Sequence, residues 1–107
     1  MSEFREHVAY LAREEKDHLP LVWWWMSFVD PDRPEGERFL GACIVQAHGP
    51  VTAGIESHAQ KCNPGGQSRS LPFPPRVDAS EWANTLLSCE DVHRFDQWMT
   101  DHYPHSP

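Results

Sequence analysis

Residues 21–29 read LVWWWMSFV, and the side chains in this run decide the fold. β-Branched and aromatic residues dominate it, and along an extended chain successive side chains point to opposite faces. Val22, Trp24, Met26 and Phe28 therefore share one face, while Trp23, Trp25, Ser27 and Val29 share the other. Both faces are apolar, which marks a strand in the middle of a sheet rather than at its rim. Three consecutive tryptophans cannot enter one core. If Trp24 is buried, Trp23 and Trp25 either meet a second helical layer or stand as an aromatic platform for a planar ligand or a partner's side chain.

Outward from this strand, residues 30–37, DPDRPEGE, hold two prolines, a glycine and five charges, a composition that makes a loop. Residues 38–47, RFLGACIVQA, alternate again and complete a hairpin, with Gly41 marking a bulge or a close approach. Upstream, Phe4, Val8, Leu11 and Ala12 recur at helical spacing until Pro20 stops the helix. Downstream, Gly49-Pro50 opens a second helix whose expected buried stripe is Val51, Ile55, Ala59 and Cys62. Asn63-Pro64-Gly65-Gly66 is expected to end it, with Asn63 in the left-handed position. Residues 67–73 predict a third strand, pushed to the sheet edge by Pro72, Pro74 and Pro75. Asp78-x-x-Glu81 and Ser88-x-x-Asp91 resemble capping boxes that open two short C-terminal helices, and the tail HYPHSP is expected to fray.

The expected fold is a small single α+β domain, with a three-stranded sheet made of a β-hairpin, a helix and an edge strand. Residues 1–20 supply an N-terminal helix, 21–75 a ββαβ core, and 76–107 two C-terminal helices and the tail. The 107 residues suffice for one core but not for two. A net charge of −7, from 9 Lys+Arg against 16 Asp+Glu, argues against sequence-independent nucleic-acid binding and against an anionic membrane surface. No apolar run approaches the roughly 20 residues of a membrane span, and the acidic start does not read as a secretory leader. The expected location is the cytoplasm. Cys43, Cys62 and Cys89 form an odd set without a close pair, so reduced thiols are expected.

The run Trp23-Trp24-Trp25-x-Ser27-Phe28-x-Asp30-Pro31-Asp32-Arg33-Pro34-x-Gly36, then Phe39-Leu40-Gly41, Ile44-Val45 and Asn63-Pro64-Gly65-Gly66, resembles a family of small uncharacterised proteins of phages, prophages and other bacterial genomes. The likeness spans about Trp23 to Phe73, and Leu86-Leu87-Ser88 also fits. Gln67 stands where the pattern leads one to expect Glu, and the helix before Pro20 looks like an added element. The resemblance implies a phage-type accessory setting, in which roles include inhibition of a host defence by binding a protein or sequestering a nucleotide signal.

Several constellations bear on chemistry. The loop carries Asp30, Asp32, Arg33 and Arg38. Its acids do not follow the calcium-loop pattern, because Pro34 and Glu35 replace a ligand and the glycine pivot. Asn63, Gly65 and Gly66 offer backbone donors near Arg69, and Gly49, Val51 and Thr52 offer free N–H groups at a helix N-terminus. His58-x-x-x-Cys62 and Cys89-x-x-x-His93 have zinc-ligand spacing only if their helices meet. No nucleophile elbow, phosphate loop, zinc-protease motif or dinucleotide fingerprint is present, so no catalytic residue, metal or cofactor is assigned. The leading expectation is a non-enzymatic protein that binds a small polar, nucleotide-like ligand. Trp23 and Trp25 would stack it, Arg33, Arg38 and Arg69 would neutralise it, and Asp30, Asp32, Asn63, Gly65 and Gly66 would complete the site. The alternative is an acidic protein-interaction module or inhibitor that binds a basic host protein surface. An exposed flank of the tryptophan strand would instead favour a homodimer.

Overall fold

The computed structural model describes residues 2–104. The elements are α1 (Ser2–His18), β1 (Val22–Val29), β2 (Phe39–Ala47), α2 (Pro50–Ala59), β3 (Gln67–Pro72), a turn of 3₁₀ helix (Ser80–Trp82) and α3 (Cys89–His102). The fold is mixed α+β, with an N-terminal helix, a three-stranded sheet and helices after it. The strand order is β2-β1-β3, and both neighbouring pairs are antiparallel. β2 and β3 thus run parallel to each other on either side of β1, and the connection through α2 steps over the central strand.

The register fixes where every backbone group of β1 goes. The Phe73 N–H donates to the Trp23 carbonyl at 2.8 Å, so the directly opposed pairs Trp25–Leu71, Ser27–Arg69 and Val29–Gln67 are the hydrogen-bonded ones. Trp24, Met26 and Phe28 accordingly bond to Val45, Cys43 and Gly41 of β2. One residue later Val29 pairs with Phe39, leaving Leu40 as the bulged residue beside Gly41. Gly41 has φ 134°, and a Cβ there would come within 2.7 Å of Leu86 Cδ1. The bulge and the close approach expected at Gly41 are both present.

The two faces of β1 build two cores. Trp24, Met26 and Phe28 pack with Cys43, Val45, Ala53 and Cys62 under α2. Ile44, Val77, Ala79, Leu87 and Phe95 form the other core, against which Trp23, Trp25 and Trp82 pack. The Trp24 indole N–H donates to the Ala47 carbonyl at 3.1 Å, so its polar edge is satisfied inside the first core.

Three local expectations are corrected. The buried residues of α2 are Thr52, Ala53 and Ser57 rather than the Val51, Ile55 and Ala59 stripe, and Ile55 is 48% exposed. Small side chains on that face let the helix lie close over Trp24 and Phe28, and the Ser57 hydroxyl is satisfied by the Gly54 carbonyl at 2.7 Å and the Asn63 side-chain amide at 2.9 Å. The helix also ends earlier than Asn63. Lys61 takes the left-handed conformation (φ 59°), with the Cys62 N–H donating to the Ser57 carbonyl and the Lys61 N–H to the His58 carbonyl. This is a Schellman stop, and it wins because it carries the apolar Cys62 into the core. Finally, the two short C-terminal helices are one 3₁₀ turn and the 14-residue α3. After Trp82 the chain is drawn out to pair with β2: the Asn84 N–H donates to the Ile44 carbonyl, and Leu87 and Ala42 exchange both hydrogen bonds. Asp78 does not form a helical capping box but accepts from the Ser80 N–H at 3.0 Å, whereas the Ser88–Asp91 box forms as expected. The part of the tail expected to fray beyond Pro104 lies outside the described residues.

The N-terminal helix is tied to the domain by one carboxylate. Glu15 accepts from the Val51 N–H at 2.9 Å, the Thr52 N–H at 2.7 Å and the Thr52 hydroxyl at 2.8 Å. The N–H groups at the start of α2, expected to be free for an anion, are therefore filled by the chain's own anion, where the helix dipole favours it. Gly49 permits this approach, since a Cβ there would strike the Glu15 carboxyl carbon. Glu15→Ala is expected to lower unfolding free energy by about 1–2 kcal/mol, the range for loss of a charged helix cap, and Glu15→Gln by less. Urea titration followed by circular dichroism measures both.

Candidate functional site

Phe95 of α3, 5% exposed, is the hub of the second core. It stacks on Trp25 with centroids 5.4 Å apart, meets Trp82 edge-on at 5.4 Å and Phe73 edge-on at 5.9 Å, and stacks on Trp98 at 5.7 Å. These rings seat α3 on the sheet through β1 and leave its other apolar residues, Val92 and Met99, turned toward β3. The outcome is a groove of about 630 Å³ between α3 and the β3 strand with its continuation, within the usual size range of a binding cavity. Trp25, Leu71 and Phe73 form its sheet side, and Val92, Met99 and Tyr103 its helix side. His93, Asp96 and Thr100 supply its polar rim, with no Lys or Arg among the lining residues.

Both ends of α3 are pinned. The Ser88 hydroxyl accepts from the Asp91 N–H at 3.2 Å, and the Asp91 carboxylate accepts from the Ser88 N–H at 3.0 Å and from Arg94. The Ser88 N–H foremost, then Arg94, holds the Asp91 carboxyl below the usual carboxylate range. At the other end the Asp78 N–H donates to Tyr103 Oη at 3.0 Å, joining the helix terminus to the segment that follows β3.

The outward side of β1 opens onto two further clefts. One of about 400 Å³ is lined by Trp23, Gln46, Arg76 and Asp78. Another of about 330 Å³ is lined by Ser27, Val29, Gln67, Ser68 and Arg69. Trp23, Trp25 and Ser27 thus each face a different depression along one strand.

The residues expected to form one polar-ligand site are spread out. Trp23 and the Asp30 end of β1 are separated by six or more residues, about 20 Å at the rise of an extended chain. Trp25 is stacked on Phe95 and presents only part of itself to the groove. In the hairpin loop, Asp30 pairs with the Arg33 Nε at 3.5 Å and accepts from the Asp32 N–H at 3.0 Å, while the Arg38 Nε donates to the Arg33 carbonyl at 2.8 Å. These side chains close their own loop. Asn63 accepts from the Gly65 N–H at 2.8 Å, so that donor is already used. Gly66 (φ 78°) sits where a Cβ would strike the Val29 carbonyl, which makes it a packing glycine. Of the whole set, Trp23, Trp25 and Arg69 share one face of the sheet, Arg69 two register positions from Trp25 and four from Trp23.

His58 and Cys62 lie on the α2 side of the sheet, Cys89 and His93 on the α3 side, so the two pairs do not meet. Among the described residues no cluster of three or more His, Cys, Asp or Glu is placed to hold a metal ion. Cys43 and Cys62 are buried together, and burial foremost, with the Cys62 thiol beside it, raises the Cys43 pKa. Cys89 is exposed. No described helix is long and apolar enough to cross a membrane.

The α3 face was visible in the sequence as Val92, Phe95 and Met99, but its role as a groove wall was not. The missed signal is excess: Trp98 and Tyr103 widen that face beyond the strip needed to cover one strand. No family model, curated protein or solved structure matches this chain.

Two solution properties follow from this geometry. With a maleimide on folded protein, mass spectrometry should show one adduct, on Cys89, with Cys43 and Cys62 labelled only after denaturation. Because its native pKa is depressed, Asp91 contributes stability that is complete above the ordinary value near 3.9 and is lost as pH falls through the lower native one. Acid titration of tryptophan fluorescence should therefore show α3 loosening below about pH 4, and Asp91→Asn should already be destabilised at pH 7 and flatten that dependence.

Proposed function

We propose that this chain is a non-enzymatic interaction module whose α3–β3 groove holds an apolar and basic segment of a partner protein. The observation that carries the reading is a 630 Å³ aromatic-walled groove whose rim offers Asp96 and no Lys or Arg. Apolar walls supply the burial energy and the acidic rim selects for Lys or Arg. The net charge of −7 favours the same partners at longer range and speeds their encounter at low salt. In the phage-type setting that the sequence resembles, such a module would act by occupying a basic host protein surface.

A second reading is favoured by one observation, the 330 Å³ cleft in which Arg69 stands beside Ser27, Gln67 and Ser68. A cationic fork with hydroxyl and amide neighbours suits a small anionic ligand such as a nucleotide. Native mass spectrometry of untagged protein should then show a nucleotide-sized adduct that Arg69→Gln loses, and a clean apo mass would remove this reading.

The groove reading is tested by selecting displayed random twelve-residue peptides on the full chain. Enriched peptides should combine apolar residues with Lys or Arg. Met99→Arg, which places a cation in the groove, should abolish their binding. Asp96→Lys should weaken it about tenfold, as expected for one rim charge, and reduce its salt dependence. Failure to enrich any peptide, or peptides that bind Met99→Arg as tightly as the parent, would overturn the proposal.

A further inference from the structure

The sheet has two outer edges, and the chain treats them differently. At the β2 edge, both backbone groups of Ala42 bond to Leu87 and the Ile44 carbonyl accepts from Asn84, so a segment of the chain itself covers the rim. At the β3 edge no described segment pairs. The register leaves the N–H groups of Ser68 and Ser70 and the carbonyls of Ser68, Ser70 and Pro72 pointing away from β1, because the hydrogen-bonded partners of β1 are Gln67, Arg69 and Leu71. β3 is also exposed along most of its length. An open edge of this kind is a template for another strand unless it is blunted. Here only Pro72, which lacks an N–H, marks where the template ends.

The open edge and the groove adjoin each other. Leu71 lies on the α3 face of β3, in register with Trp25, and both line the groove; Pro72 and Phe73 continue that lining. A strand laid along Ser68–Pro72 would point every second side chain to the α3 face, where one passes Arg69 and the next lies beside Leu71, toward Val92, Met99 and Asp96, so the basic side chains belong at the Leu71 end. Its alternate side chains would lie by Ser68 and Ser70 on the other face, where little discriminates between residues.

We infer that β3 is a docking edge: an extended partner segment adds to it as a fourth, antiparallel or parallel strand, with alternate apolar and basic side chains entering the α3–β3 groove. The inference rests on the groove reading above and adds the mode of binding. Main-chain hydrogen bonds to Ser68, Ser70 and Pro72 supply register, and the groove supplies selectivity. The occupant is a peptide of cationic character rather than a second copy of this chain. A second copy would bring its own net charge of −7 to an acidic rim, and its own Pro72 would leave a Ser68 carbonyl without a donor in a symmetric antiparallel pairing.

The test uses a groove-binding peptide from the selection above and a set of its analogues, each N-methylated at one position. Strand addition requires a period-two pattern: methylation at alternate residues weakens binding at least tenfold, and at the residues between has little effect. Ser70→Pro in the protein removes an outward N–H without touching the β1 ladder and should give a similar loss; the peptide series carries the result if that variant does not fold. Peptides that bind with no alternating pattern and are blocked by Met99→Arg would overturn strand addition while leaving the groove reading intact. If no peptide binds, both fall. A concentration-dependent dimer by analytical ultracentrifugation, lost in Ser70→Pro, would assign the edge to a second copy and overturn the inference.

Discussion

β1 is bonded on both sides and covered on both faces, and the remaining elements follow from that demand. Its even-numbered residues place their backbone groups on β2 and their side chains under α2. Its odd-numbered residues place their backbone groups on β3 and their side chains on the α3 side. A buried strand leaves no polar backbone group for water to satisfy, so two partner strands and two covering layers are required together. In a chain of 107 residues little is left over: Trp24, Met26 and Phe28 of β1 are buried, the other face of that strand is half-buried, and β3 is largely exposed.

The layers differ in kind, which explains where the depressions lie. α2 presents Ala53 and Ser57, whose small buried side chains let it lie close to the sheet. α3 presents Phe95 and Trp98 and is held by interlocking rings, which bury much area but stand the helix off and do not extend over β3. Each stacked or edge-on aromatic pair adds about 0.5–1.5 kcal/mol beyond burial, so the cluster fixes α3 firmly even though its flank is open. One buried group escapes this packing well: the Trp82 indole N–H has no acceptor among the described residues.

Much of this was legible in the sequence where a local rule met no competitor. The alternation in 21–29 located the central strand, Pro50 opened α2, and Ser88 with Asp91 capped α3, because each depends on neighbours in sequence. The rule failed where a distant partner decided. Cys62 is buried as its place on the expected stripe implied, but nothing within α2 reveals that it reaches the core through a left-handed turn at Lys61 rather than as part of the helix. Nothing near Trp82 reveals that the β2 edge will draw Asn84 and Leu87 into pairing. The candidate site suffered most. Trp23, Trp25, Arg33 and Arg38 are close in sequence and belong to one hairpin, yet a strand runs about 3.3 Å per residue, and side chains at its two ends do not meet. The groove residues come from β1, β3 and α3 and share no local signature.

Charge placement narrows the function further than net charge does. The positive ends of both α2 and α3 are already neutralised by the chain's own carboxylates, Glu15 across from another helix and Asp91 within its own first turn. A helix end so occupied cannot serve as an anion cradle without first displacing a residue held by several hydrogen bonds. A small anion must therefore be recognised by side-chain cations, and of the arginines expected to bind one, Arg33 and Arg38 are engaged in closing the hairpin loop while Arg69 faces a cleft. Asp96 lines the apolar groove, which adjoins the open strand edge. On the proposed reading, a polypeptide segment with cationic side chains would meet the acidic rim, the apolar groove and the open edge together, whereas a nucleotide would meet none of these and only the separate Arg69 cleft.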